Sequence, residues 1–303
     1  MKKWKKHPPA EAEEKKSDQE PVRRKKKKRW KVVVLILLCL LSFAAGIVLW
    51  LMQREEDFVE SFYQIQSEKL TDNIRVVLLS DLHLREFGEK NCELIGRIEA
   101  LKPDLIAIAG DMNLQEQFEH HVVTELCEAL VELAPVYYVP GNHELGQIVF
   151  HESTIEENLV NAGVHLLVNQ QETIELKGNT IKIGGLANPP MQYEKYGTDF
   201  FEAFEQGEEF KLLLVHYPEY FSGALQDADI DVALCGHAHG GQVRIPGIGG
   251  LYTMDQGWFP ELTEGLHKIH DISVVISRGL GDSSKVPRIN NPPELVIVDM
   301  NWY

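Results

Sequence analysis

IRVVLLSDLHL, residues 74–84, is the stretch whose reading decides the fold. Its four consecutive apolar residues, 76–79, are too few for a helix and suit a strand buried on both faces, as in a sheet flanked by other layers. Asp81 and His83 follow at once. A carboxylate and an imidazole one residue apart, delivered from a rigid strand end, can aim at a common point beyond the sheet, which is a metal-ligand arrangement. An isolated Asp-x-His is also ordinary turn chemistry, so the reading depends on whether other strand ends supply partners.

Downstream, strands and helices alternate. Residues 89–102 carry helical periodicity through Cys92, Leu94, Ile95 and Ile98, and Pro103 stops it. Residues 105–109 (LIAIA) form a second short apolar strand, 116–134 a second helix and 136–139 (VYYV) a third strand. This β-α-β-α-β rhythm means a parallel sheet covered by helices. The second strand ends in Gly110-Asp111 and the third in Pro140-Gly141-Asn142-His143-Glu144. Residues 211–215 read as a strand ending in His216, and 232–235 as one ending in Gly236-His237-Ala238-His239-Gly240-Gly241. Singly these are a turn, a helix cap and a structural histidine. Together, five of the twelve histidines stand at strand ends, on the edge where open α/β sheets bind ligands. The mixed nitrogen and oxygen donor set suits Mn, Fe or Zn. A thiolate site is disfavoured, because Cys235 precedes a glycine on a buried strand.

In this order the motifs resemble those of the calcineurin-like metallophosphoesterases, over about residues 74–303: Asp81-x-His83, Gly110-Asp111, Gly141-Asn142-His143-Glu144, His216 and Gly236-His237-x-His239. The resemblance implies an α/β fold of two mixed β-sheets packed face to face with flanking helices; the periodicity reaches only the first half of it. It also implies two divalent metal ions sharing the Asp111 carboxylate, one held by Asp81, His83 and His239, the other by Asn142, His216 and His237. His143 would be catalytic beside the substrate phosphate. Two ions about 3.5–4 Å apart can clamp a phosphate, neutralise charge developing on it and activate water for in-line hydrolysis. Asp111 suits a bridge because it is the sole acid of its motif and has two oxygens, while Asn142 supplies a neutral oxygen. His143 can stabilise the transferring group or protonate the leaving oxygen. Glu144 suits the task of orienting a neighbour.

Where the family's protein Ser/Thr phosphatases continue Gly-Asp with an acid three positions on and then Arg-Gly, this chain has Leu114 and Gln115, which disfavours that activity. The tail, Ser277-Arg278-Gly279-Leu280-Gly281, Pro287-Arg288 and Pro293-Glu294-Leu295, is similar to the bacterial membrane-associated phosphodiesterase branch. Arg278 and Arg288 read equally as a solvated loop or as phosphate contacts. His267 and His270 precede a strand and are not expected to ligate; His120 and His121 are expected on a helix surface. The alternative function is a metal-stabilised, non-catalytic interaction domain on the same fold. A nucleotide or nucleic-acid phosphoesterase also stays open, since a metal clamp does not read what is esterified to the phosphate.

A net charge of -16 hides an asymmetry: residues 1–31 carry 14 Lys or Arg against 5 acids, leaving -25 for residues 32–303. Residues 32–52 are 21 uncharged positions, long enough to span a hydrocarbon core. The expected organisation is a basic, disordered cytoplasmic tail (1–31), a transmembrane helix (32–52), a juxtamembrane linker (53–73) and the phosphoesterase domain (74–303). The positive-inside rule puts the N-terminus in the cytoplasm and the domain outside, as a single-pass protein of the cell membrane. A cleaved signal peptide is the rival reading, given the small residues Ser42, Ala44 and Ala45. The linker's spacing, Phe58, Phe62, Ile65, reads as a short stalk helix. Expected partners are a phosphoester substrate and the membrane; nucleic acid is not expected, because the basic run abuts the span. Four cysteines with no CxxC pair exclude a disulfide scaffold.

Residues 242–260 carry Ile245, Ile248, Leu251, Tyr252, Met254, Trp258 and Phe259 among glycines, directly after the last histidine motif. This segment reads as a hairpin folded into the core of the second sheet, or as a lip for an acyl chain or a bilayer surface, which would make the substrate lipid-linked.

Overall fold

The computed structural model describes residues 20–52, 57–151, 153–284 and 286–302. The chain divides into two compact units, one ending at Trp50 and one beginning at Leu51. In the first, helix α1 (Glu20–Met52) begins twelve residues before the expected span and takes in residues 20–31, expected to be disordered. Lys and Arg are good helix formers, and a helix nucleated by an apolar run propagates into them at little cost. The rest of the expected tail, 1–19, lies outside the described residues. The stretch Arg29–Ile47 is long and apolar enough to cross a membrane.

The second unit is a mixed α/β sandwich. Its strands in chain order are β1 (Val59–Ser67), β2 (Ile74–Leu79), β3 (Leu105–Ala109), β4 (Val136–Val139), β5 (His165–Leu166), β6 (Gln170–Leu176), β7 (Asn179–Leu186), β8 (Phe210–Val215), β9 (Val232–Cys235), the two-residue pieces β10 (Arg244–Ile245), β11 (Gly249–Gly250), β12 (Tyr252–Thr253) and β13 (Gly257–Trp258), then β14 (Gly265–Ile269), β15 (Ile272–Ile276) and β16 (Glu294–Trp302). They form two six-stranded sheets, ordered β1-β16-β2-β3-β4-β5 and β14-β15-β9-β8-β7-β6. Strands β2, β3, β4 and β5 are mutually parallel, as are β7, β8, β9 and β15. The chain passes from the first sheet to the second after β5 and returns with β16, which runs antiparallel to β2.

Side chains alternate across each strand, so one run of apolar residues serves two cores. Val76 and Leu78 of β2 pack with Leu212, Leu214 and Leu234 in the layer between the sheets. Val77 and Leu79 pack outward with Leu94 and Ile98 of α2 (Cys92–Leu101) and Leu126 and Leu130 of α3 (His121–Val131). On the far side, Leu213 and Val215 meet Phe201, Phe204 and Tyr220. Every such side chain fully removed from water contributes about 1.5–3 kcal/mol.

Two expectations are corrected. Helix α3 starts at His121 rather than 116, because the preceding loop is tied down by side chains: Gln147 donates to the carbonyls of Leu114 and Gln117, and Asn113 also donates to Gln117. The stalk helix is instead strand β1, parallel to β16 over nine pairs from Val59↔Glu294 to Ser67↔Trp302. The helical spacing of Phe58, Phe62 and Ile65 is overridden by period-two burial: Tyr63 and Ile65 turn into the core while Phe62 stays exposed. The folded domain therefore begins about fifteen residues before the expected boundary, at β1.

A chain beginning at Ile74 leaves the β16 edge unpaired and removes Ile65 from the core. It should aggregate or melt well below a chain that retains β1, as read by thermal unfolding and size-exclusion chromatography.

Candidate metal centre

The C-terminal ends of the parallel strands in the two sheets meet. Asp81 and His83 leave β2, Asp111 leaves β3, Asn142 and His143 open α4 (Asn142–His151) after β4, His216 leaves β8, and His237 and His239 leave β9. The backbone bends sharply to bring them together: Asp81, His83, Asp111, His237 and His239 have φ of 52°, 48°, 55°, 69° and 45°. Non-glycine residues in this left-handed region cost of order 1–3 kcal/mol each, and persist only where surrounding bonds over-determine them. Those bonds are present. Asp81 N–H donates to Gly110 O (2.9 Å), His83 N–H to Asp111 O (3.1 Å) and Leu84 N–H to Met112 O (3.0 Å), lacing the end of β2 onto that of β3. The His237 N–H reaches both Asp81 carboxylate oxygens at 3.1 Å, and the His143 N–H donates to Asp111 Oδ1 at 2.8 Å. Glycine is required where these loops touch. A Cβ on Gly141 would lie 2.6 Å from Asp111 N, and one on Gly236 would lie 2.7 Å from Asp81 Oδ2.

The side chains expected from the strand ends are brought to one place. Asp81, His83 and His239 present donor atoms within 4.8 Å of one another, as do Asp111, His216 and His237, and His83, Asp111 and His143. His239 Nε2 is 3.5 Å from Asp81 Oδ1 and 3.2 Å from His83 Nε2. His216 Nε2 is 3.2 Å from Asp111 Oδ2 and 3.1 Å from His237 Nδ1. The eighth residue, Asn142, lines the same cleft, and its buried Oδ1 has no hydrogen-bond partner among the described residues. A buried acceptor left bare costs about 1–3 kcal/mol, so an oxygen placed here fits a cation-binding role. The donor set of carboxylate, imidazole and amide oxygen suits the same class of ion.

The outer nitrogens of the histidines are held differently. His216 Nδ1–H donates to Ala109 O at 2.6 Å, which turns Nε2 toward Asp111. His237 Nε2–H donates to Asp255 Oδ2 at 2.7 Å, leaving Nδ1 on the side of His216. His143 is held in the opposite sense: its Nδ1 accepts the Gln115 N–H at 2.9 Å, so the ring proton lies on Nε2, 3.9 Å from Asp111 Oδ2. His239 Nδ1 lies 3.1 Å from Arg288 Nη2.

Burial acts to raise the Asp81 and Asp111 carboxyls, but the surrounding imidazoles outweigh it and hold both below the usual carboxylate range. Burial likewise opposes a charge on His216, yet Asp111 and Asp81 push it up to about 10. Burial dominates at His239, pushed down to about 3, and at His83, which is also lowered. The cluster thus demands positive charge most strongly at Asp111 and His216, where a proton and a cation compete for the same lone pairs.

Glu144, fully buried, braces the backbone instead of a ligand side chain. It accepts from Asp111 N (2.8 Å), Asn113 N (2.9 Å), Gly141 N (2.9 Å) and the Tyr138 hydroxyl (3.1 Å). Burial and the nearby Asp111 raise its carboxyl, against the pull of the three backbone N–H groups. Neither tail arginine lies in a solvated loop. Arg278 pairs with Glu294 (3.1 Å) and Glu264 (3.4 Å) in a network under β1. Arg288 is buried and donates to Gly281 O and Arg278 O. His267 and His270 bond Glu264 O and Asp227, outside the cluster. His120, expected on the surface, is buried and bonded to Gln147 and Asn158. Asp255 carries no sequence signal, since it belongs to no motif, and Gln115 stands out only as a departure from the protein-phosphatase pattern, which says nothing of its backbone amide. The four cysteines are all free.

Above the cluster lies a cleft of about 690 Å³ whose floor includes Asp111, Asn142, His143, His237 and His239. One wall is formed by Leu251, Tyr252, Met254, Trp258 and Val286. The 242–260 segment is therefore a rim and not a core hairpin: Met254 is 89% exposed, Trp258 68% and Phe259 57%.

A family model described as calcineurin-like phosphoesterase matches residues 74–241. The phosphodiesterase YaeI of Escherichia coli K12 is 28% identical over 238 residues, covering 75% of this chain and 82% of its own. The uncharacterized metallophosphoesterase YkuE of Bacillus subtilis is 28% identical over 234 residues, covering 75% and 78%. A transmembrane protein with metallophosphoesterase domain from Danio rerio is 27% identical over 228 residues, covering 67% of this chain and 51% of its own length.

Glu144→Gln keeps the shape but sets an amide N–H₂ against backbone N–H donors. It should destabilise the domain by about 1–3 kcal/mol in urea unfolding and lower phosphoesterase activity in the folded fraction.

Proposed function

Because the chain belongs to the calcineurin-like phosphoesterase family, and is by that membership a metal-dependent phosphoric ester hydrolase, we propose that the strand-end cluster is its dinuclear centre and a phosphodiester its substrate. The observation that carries this reading is the convergence of His216 Nε2 and His237 Nδ1 on Asp111, with the bare Asn142 oxygen beside them. Asp111 would be shared between two ions of the Mn, Fe or Zn type; Asp81, His83 and His239 would complete one position, and Asn142, His216 and His237 the other. When bound, such ions polarise the phosphoryl oxygens and make water nucleophilic at neutral pH.

The chain's own residues supply the rest. The His143 Nδ1 accepts the Gln115 N–H, so the ring turns its Nε2–H toward the phosphoryl group as a donor. Of its two expected roles, that geometry favours stabilising the transferring group over protonating the leaving oxygen. The backbone latch of Glu144 keeps Asp111 and the start of α4 from separating as charge develops. The apolar wall of the cleft admits the esterified group. With Tyr252, Met254, Trp258 and Phe259 exposed beside the site, we read that group as lipid-linked, presented at a membrane surface. The apolar stretch of α1 would anchor the chain in a single pass, with the basic N-terminus cytoplasmic and the domain outside.

The test is turnover of the detergent-solubilised full chain on monoesters, soluble diesters, nucleotides and phospholipid headgroups, the last both dispersed and in vesicles. Asp111→Ala should cost at least ~10³-fold and His143→Ala ~10²–10³-fold, the latter with metal content retained. Metal loss in a folded His143→Ala would refute its assigned role. Trp258→Ala should slow vesicle substrate selectively; equal rates on soluble and vesicle substrates, unaffected by Trp258→Ala, would eliminate the lipid reading.

Since His216 is pushed up from 6.5 to about 10, it holds its proton through neutral pH and that proton must leave when a cation binds. Affinity for Mn²⁺ should therefore rise with pH between 7 and about 10, with proton release seen by calorimetry in buffers of differing ionisation enthalpy.

A further inference from the structure

Most of the cluster is fixed by backbone bonds, but two rings meet side chains from elsewhere at their outer nitrogens, His239 the Arg288 guanidinium and His237 the Asp255 carboxylate. His216 is fully buried and its outer nitrogen is bound by the Ala109 carbonyl, an atom that no substitution removes. His237 sits at the cleft mouth with about a fifth of its side chain exposed, and among the described residues its outer nitrogen is bound by Asp255 Oδ2 alone, at 2.7 Å. The carboxylate lies on the far side of the ring from Nδ1, the nitrogen that faces His216 at 3.1 Å, so it is placed to orient the ring and not to ligate.

The turn that carries Asp255 is built to hold it. It lies between β12 and β13, which pair as Tyr252↔Trp258 and Thr253↔Gly257. The neighbouring Gln256 pins it: its backbone N–H donates to Thr253 Oγ1 (3.1 Å), and its side chain bonds Glu219 (2.8 Å), Leu262 O (2.8 Å) and Leu262 N–H (3.0 Å). Asp255 is thus an acceptor carried on a pinned turn, in a ribbon whose Met254 and Trp258 face solvent.

We propose that Asp255 is a positioning residue: it selects the His237 tautomer and ring orientation in which Nδ1 is a lone-pair donor, and so sets the affinity of the cation position that His237 shares with Asp111, Asn142 and His216. The inference rests on the dinuclear reading above. A carboxylate behind an imidazole fixes the tautomer and raises the basicity of the inner nitrogen, and losing one usually weakens metal binding ~10–100-fold. As a mere surface ion pair the same contact would contribute little to folding, so the two roles separate cleanly. The ribbon whose Met254 and Trp258 meet solvent is then one hydrogen bond from His237.

The experiment is Mn²⁺ titration of the full chain in detergent, followed by calorimetry and by metal content after dialysis, on wild type, Asp255→Ala and Asp255→Asn. Asp255→Ala should weaken one of two cation positions ~10–100-fold and leave the other unchanged, with thermal unfolding in chelator unaltered and kcat restored by excess Mn²⁺. Asp255→Asn, whose amide oxygen still accepts from Nε2–H, should recover most of the affinity. Two unchanged affinities in Asp255→Ala would overturn the proposal. So would lost turnover with both cations bound as tightly as in wild type, which would assign Asp255 to the substrate instead. A wild-type chain that takes up fewer than two cations would overturn the dinuclear reading itself, and this one with it.

Discussion

The Glu144 carboxylate, buried beneath the cluster, accepts three backbone N–H groups and the Tyr138 hydroxyl, and through them clamps the end of β3 to the end of β4. A lone buried carboxylate would cost several kcal/mol, and it persists here because these four donors satisfy its oxygens. In return, the Asp111 backbone is fixed relative to Gly141 and the first turn of α4. The rest of the site is referred to that fixed point: the Asp111 side chain receives His143 N–H, the Asp111 carbonyl receives His83 N–H, and His216 is aimed at Asp111 Oδ2.

A site assembled this way stores strain and charge together. Five of the residues that converge have left-handed backbones, and two buried carboxylates face five imidazoles. Neither feature would survive in an isolated loop. The strain is held by backbone bonds from adjacent strand ends, and the charge is tolerated because His216 can take a proton or yield its lone pair to a cation. Rigidity comes from the two cores that each strand serves. Val76 and Leu78 lock β2 to the second sheet while Val77 and Leu79 lock it to the helices, so the side chains beyond Leu79 have little freedom to drift.

The cleft has two unlike sides. Its floor is charged and fixed, whereas its rim is a glycine-broken ribbon that keeps tryptophan and methionine in solvent. The two sides meet at His237, which belongs to the floor through its backbone bond to Asp81 and to the rim through Asp255. The polar cluster and the apolar rim are therefore supplied by different segments of the chain.

The sequence by itself determined the strands and what stands at their ends, because a four- or five-residue apolar run closed by a turn that carries Asp, Asn or His is a local pattern, set by burial on both faces. Residues 76–79, 105–109 and 136–139 were legible in this way, and so were the eight polar residues that meet at the cluster. What only the tertiary structure decided was everything that depends on a partner distant in sequence. Strand β1 reads locally as a helix and becomes a strand because β16, more than two hundred residues later, offers it an edge. The 242–260 segment has the composition of a core hairpin, but the layer it would fill is already occupied by strand side chains, so its aromatics remain outside. The orientation of each imidazole likewise depends on whether its outer nitrogen finds Ala109, Gln115 or Asp255, contacts spanning 107, 28 and 18 residues, and side-chain spacing carries no record of bonds made across such distances.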